Sequence, residues 1–127
     1  MSLTATQTLG TGAAIKSEAA GTCSREQVTI PSGVGLVRAN TVLGRYTSGA
    51  NTGKVDLYDN DATDGRQTVY GVLLADTDAT SADARGIAFV RDCEVWTERL
   101  VWGAAVTTQA EKDAAYLEMA AAGIVLR

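Results

Sequence analysis

The chain has 127 residues, a net charge of −4 and no histidine. That length suits one domain with a core of its own, without metal or disulfide support. Charges of both signs are dispersed with no basic tract, which argues against nucleic acid as a partner, and the missing histidine removes the commonest general base and transition-metal ligand.

In chain order, residues 1–25 come first as a segment of Ala, Gly, Thr and Ser with thinly spread Leu3, Leu9 and Ile15. Such a composition buries too little apolar surface to offset an ordering cost of about 1–2 kcal/mol per residue. Residues 1–25 are therefore expected to be an extended arm, mobile alone, whose Thr and aliphatic residues suit strand addition to a partner sheet. The body is expected over 26–127. Gln27 to Ile30 alternates and stops at Pro31-Ser32-Gly33, a strand and a turn. Val34 to Val37 is a short apolar piece, Thr41 to Tyr46 is rich in strand formers, and residues 47–53 form a loop. Lys54 to Tyr58 alternates, placing Val55 and Leu57 on one face. Asp59 to Arg66 reads as a polar turn, Gln67 to Leu74 as a central strand, and Asp76 to Arg85 as a polar loop. Gly86 to Val90 and Cys93 to Thr97 complete a second pair of strands.

Thr108-Gln109-Ala110-Glu111 fits a capping box, in which a hydroxyl and a carboxylate each satisfy a free helix-end amide. The predicted helix runs from Gln109 to Ala121, with Ala110, Ala114, Leu117 and Ala121 on one stripe and Gly123 ending it. Ile124-Val125-Leu126 reads as a last strand. The fold class is thus α+β, mostly β: a small single domain of short strands with one C-terminal helix and an extended N-terminal arm.

Residues with catalytic or binding chemistry make weak constellations. Asp59-Asn60-Asp61-Ala62-Thr63-Asp64-Gly65 departs from a calcium loop, since glycine is seventh and Tyr70 stands where a bidentate Glu is needed. Gly49 to Lys54 has the wrong glycine spacing for a phosphate loop, and Val55 replaces its Ser or Thr. Gly33-Val34-Gly35 opens no helix and is no dinucleotide fingerprint. The acidic residues lie mostly in polar loops and mark no pocket. Cys23 and Cys93 are too sparse for a secreted framework and read as free thiols of a reducing cytoplasm, with Glu94 beside Cys93 opposing thiolate formation. No signal peptide and no membrane helix are legible. No cofactor, metal, small-molecule substrate, nucleic acid or membrane is expected, and no enzyme activity. Trp96 shares a face with Glu94 and Glu98, opposite Cys93 and Val95. A large aromatic on a charged face suits either a protein contact or a second packed layer. Trp102 follows Leu100 and Val101 as core or subunit boundary.

Read together, Thr41-Val42-Leu43-Gly44, Gly53 to Tyr58, Asp64-Gly65, Tyr70 to Leu74, Cys93 to Trp96, Leu100-Val101-Trp102, the late helix and Gly123 to Leu126 occur in an order that resembles the head decoration proteins of lambda-type tailed phages. The likeness covers residues 37–127 and is best from Glu98 to Arg127. Gly103 departs from it, standing where proline is expected. The resemblance implies a homotrimer bound to the outer surface of an expanded phage head, with the major capsid protein as partner. It would stabilise the shell as a cement protein, in virions assembled in the host bacterial cytoplasm. It also implies an arm that binds the capsid, here Ser2, Leu3, Thr4, Ala5, Thr6, Leu9 and Ile15, and leaves Trp96 and Trp102 as candidates for the trimer or capsid interface. The alternatives are another trimeric phage or prophage module of the tail or fibre, and a small enzyme.

Overall fold

A computed structural model describes residues 10–127, and in them ten strands and one α-helix. These are β1 Ile15–Glu18, β2 Arg25–Ile30, β3 Gly35–Val37, β4 Val42–Arg45, β5 Val55–Leu57, β6 Val69–Leu73, β7 Thr77–Ala79, β8 Ala84–Phe89, β9 Cys93–Val95, α1 Gln109–Ala121 and β10 Ile124–Leu126, with a short 3₁₀ turn at Thr97–Arg99 before α1. The mostly β, α+β class with a single C-terminal helix is the one expected from the sequence.

The largest sheet has five strands in the order β2-β8-β6-β4-β5, so the apolar run at β6 takes the central place that its hydrophobicity demands. Its pairings are antiparallel. Successive side chains on a strand face opposite ways, and here both directions are covered. Val42, Val72 and Phe89 point into one core with Tyr58, Val95, Ala115, Met119 and Ile124, while their neighbours Leu43, Leu73 and Ala88 point into another with Val28, Ile30, Val37, Val55 and Ala79. The first core is roofed by α1 and by a three-stranded sheet, β1-β9-β10; the second lies under the β3-β7 pair. Strand β4 passes so close to the following turn that a Cβ on Gly44 would stand 2.6 Å from Arg66 Cα, which leaves glycine as the residue that fits.

Three features differ from the sequence reading. The polar loop expected over Asp76–Arg85 contains β7, because Thr77 and Ala79 are buried while Asp78 between them is exposed. Three residues are too short a period to stand out among aspartates. The helix limits and the Thr108 cap agree with expectation, with the Glu111 amide donating to Thr108 Oγ1 at 3.3 Å. The buried stripe does not. Ala110, Ala114 and Ala121 are exposed and Leu117 is 76% exposed, whereas Ala115 and Met119 are fully buried. Residues two apart on a helix lie about 200° apart, so burying Met119 sends Leu117 to solvent. Alanine on every side of α1 gave the sequence no way to choose. Docking is fixed instead by Met119 and by Glu118, whose carboxylate accepts the Val69 amide at 2.6 Å.

The third difference concerns residues 10–25, read as the second half of the arm. In the structure they are built into the body: Ala14 is fully buried, β1 pairs with β9, and Ser24 is buried with its hydroxyl donating to the Asp92 carbonyl at 2.7 Å. The low apolar content misled because this segment is held by main-chain and polar bonds to elements distant in sequence, with Ala14 and Ile15 as its apolar contacts to the first core.

The helix orientation makes a direct prediction. Met119→Ala should cost about 2–5 kcal/mol of unfolding free energy, while Leu117→Ala should stay within about 0.5 kcal/mol of the unsubstituted protein; chemical denaturation of both variants checks it, and the reverse ranking would restore the stripe read from the sequence.

Candidate functional site

One end of the molecule gathers the start of the described chain, its last residue and Trp96. The segment Gly10–Ala14 turns twice on itself, the Ala13 amide donating to the Gly10 carbonyl at 3.1 Å and the Ile15 amide to the Gly12 carbonyl at 3.0 Å. Gly12 adopts a φ of 68°, open to glycine at little cost. Its amide donates to the Leu74 carbonyl at 2.9 Å, which ties the segment to the end of β6. On the other side the Trp96 amide donates to the Ala14 carbonyl at 2.7 Å, and an Arg99 Nη1 donates to the Ala13 carbonyl at 3.2 Å.

Asn40 sits beneath this segment. It is fully buried and holds a left-handed φ of 72°, uncommon for any residue but glycine and most tolerated by Asn and Asp. Its Oδ1 accepts the Ala14 amide at 2.9 Å, and its Nδ2 donates to the Gly10 carbonyl at 3.1 Å. Its own amide donates to the Leu73 carbonyl at 2.7 Å, and its carbonyl accepts the Val101 amide at 2.9 Å. A buried amide with unmet groups costs roughly 1–3 kcal/mol, so each of these partners matters.

Above the segment lies the outer face of β1-β9-β10. Glu94 is its hub: Ser17 Oγ donates to it at 2.6 Å, Arg127 Nε at 2.8 Å, and Lys16 Nζ stands 3.8 Å away. The Ser17 hydroxyl first, then the Arg127 guanidinium, hold the Glu94 carboxyl below the ordinary glutamate range. The Arg127 amide donates to the Val95 carbonyl at 2.8 Å, and its carbonyl accepts the Thr97 amide at 3.1 Å, so the C-terminal residue is locked to the same face. Trp96 is half-buried between two cations, with Lys16 Nζ 5.6 Å and the Arg99 guanidinium 5.5 Å from its ring centre. Such contacts are worth about 0.5–1 kcal/mol at exposed sites. Val125 adds an apolar spot, 45% exposed.

The candidates singled out in the sequence fall in three places. Ile15 is half-buried and packs against the first core, paired with Val95. Ser2, Leu3, Thr4, Ala5, Thr6 and Leu9 lie outside the described residues. Trp96 lies on the outer face just described, while Trp102 is half-buried at the rim of the first core, edge-on to Tyr58 at 6.3 Å and to Tyr116 at 5.8 Å. Gly103, where the resemblance expects proline, leaves a Cβ only 3.2 Å from Leu57 Cβ, so β5 crowds that position. Both cysteines are free, Cys23 exposed and Cys93 buried. Burial, then the charges of Glu18 and Asp92, push the Cys93 thiol up to about 11. The opposing carboxylates are thus Glu18 and Asp92; Glu94, expected in that role, turns to the outer face. Asn40 escaped the sequence reading altogether. Its one legible signal is an asparagine two residues before β4, since Asn tolerates left-handed backbone.

Among the described residues no group of three or more His, Cys, Asp or Glu is placed to hold a metal, and no helix is long and apolar enough to cross a membrane. The family model for bacteriophage lambda head decoration protein D matches residues 4–124. No curated protein matches the chain.

The β1-β9 pair has an acid-side signature. Glu94, and Glu18 through its 2.7 Å bond from Arg25, both have carboxyls lowered from 4.5. Folded-state values below the unfolded ones mean stability that is present above pH 4.5 and is lost as the pH falls through the lower folded values. The melting temperature should therefore decline as the pH drops below about 4.5, and the decline should be shallower in Glu94→Gln; parallel slopes in the two proteins would remove Glu94 from the effect.

Proposed function

Because the chain belongs to the family of bacteriophage lambda head decoration protein D, and is therefore a structural component associated with the phage capsid, we propose that it binds the outer surface of the expanded head as a homotrimer and stabilises it. The major capsid protein is the partner, and synthesis is in the host bacterial cytoplasm. The contact is made by the N-terminal residues, with the end of the body that carries Ala14, Trp96 and Arg127 turned to the shell. The match over 4–124 carries this reading; the joining of the first described residues to the Trp96 face supports the placement.

Energetics explain why three copies would act together. A main-chain hydrogen bond gained against a partner is worth about 0.5–1.5 kcal/mol net, set against about 1–2 kcal/mol for ordering each residue. One short segment binds weakly. Three presented by one rigid body act at high effective concentration, which raises avidity by roughly 10²–10⁴. Cementing then follows from geometry, because a trimer whose arms reach different capsid subunits resists their separation.

Binding to expanded, decoration-free heads tests the proposal and separates it from a tail or fibre role. Deleting residues 2–9 should lower head affinity by about 10² or more while light scattering still reports a trimer; a truncated protein that binds as tightly as the full chain would remove the arm from the mechanism. Trp96→Ala should weaken either assembly or head binding by about 1–2 kcal/mol, measured by light scattering and by titration of heads, and unchanged values in both would assign Trp96 to neither surface.

A further inference from the structure

We propose that Asn40 is a positioning residue, which fixes the place and direction of the segment Gly10–Ala14 to which residues 1–9 are joined; the inference rests on the reading that those residues contact the capsid. The carboxamide of Asn40 has two partners, the Ala14 amide at 2.9 Å and the Gly10 carbonyl at 3.1 Å, and both belong to the segment that joins residues 1–9 to the first strand. The backbone of Asn40 is held independently, by Leu73 at 2.7 Å in the central strand and by Val101 at 2.9 Å before Trp102. The side chain therefore adds nothing to the joining of the body strands to each other. It transfers their rigidity to Gly10 and Ala14.

An apolar residue would serve a purely packed site better, since burying an amide gains little even when its bonds are made. The left-handed φ of 72° adds a second constraint that most side chains avoid. Both costs are explained if the carboxamide is needed to hold the segment at two points four residues apart, which defines a direction and not just an attachment. Alternative anchors exist at Gly12 and Ala13, from the Leu74 carbonyl and Arg99. Loss of the carboxamide should therefore loosen the direction of the segment without releasing it. For a multivalent binder, direction matters: effective concentration falls when the arms sample orientations that miss their sites.

The test uses the full chain with Asn40→Gly, which keeps the left-handed backbone accessible, alongside Leu43→Ala as a comparably destabilising change in the other core, remote from Gly10. Asn40→Asp, which tolerates the same backbone and still accepts the Ala14 amide, serves as the conservative variant and stands in if Asn40→Gly fails to assemble. Each is measured by light scattering, by amide exchange and by titration of decoration-free heads. The expected result is an Asn40→Gly trimer with faster exchange at Gly12 and Ala14 and head affinity at least about tenfold weaker. Leu43→Ala should bind like the unsubstituted protein and Asn40→Asp should fall between. Equal head affinity for Asn40→Gly and the unsubstituted chain, or an equal loss in Leu43→Ala, overturns the inference. If the unsubstituted chain itself binds no head, the decoration reading fails first, a result distinct from either.

Discussion

A five-stranded sheet covered on both faces is the constraint from which the rest follows. Adjacent residues on its inner strands, Val42 and Leu43, Val72 and Leu73, Ala88 and Phe89, belong to different cores. Neither face of such a sheet can be left to water, because each would expose a contiguous apolar patch. The chain meets the demand with little material. One helix and a three-stranded sheet close the first core, and a pair of three-residue strands closes the second.

Covering the first core explains why the N-terminal segment is not simply a loose tail. Ala14 fills a site in that core, and Ile15 packs against it. Because the segment reaches the core with few apolar side chains of its own, its main chain is held by hydrogen bonds to the Leu74 and Trp96 backbones and to the Asn40 carboxamide. This arrangement divides residues 1–25, which the sequence reads as one arm. Residues 10–25 contribute to the body, and the proposed contact with the shell is assigned to the residues before them.

The surface at that end carries one engaged carboxylate and one aromatic flanked by cations. Its carboxylate, Glu94, is engaged by Ser17 and Arg127 and held ionised, which suits a fixed electrostatic hub and disfavours proton transfer near neutral pH. Its aromatic, Trp96, is flanked by Lys16 and Arg99. Trp and Arg together are common at the energetic centre of protein interfaces. Cys93 faces the core, where burial pushes its thiol up and keeps it neutral.

The amino-acid sequence by itself determined the mostly β class with one late helix, the central place of β6, and the limits of the helix and its Thr108 cap. These are encoded within a few residues, in alternation, in a capping box and in the order of short motifs that marks the family. Only the tertiary structure decided which side of α1 is buried, that Thr77–Ala79 is a strand, that Ala14 belongs to the core, and that Asn40 grips Gly10 and Ala14. In each case the local pattern was nearly degenerate. Alanine gave the helix two similar faces, aspartates masked a three-residue strand, and an asparagine reads the same in a solvated turn as in a buried clamp. The choice was made by partners far away in the chain, Val69 for the helix, β3 for β7, and β9 and β6 for the N-terminal segment, and contacts of that range leave no local period to read.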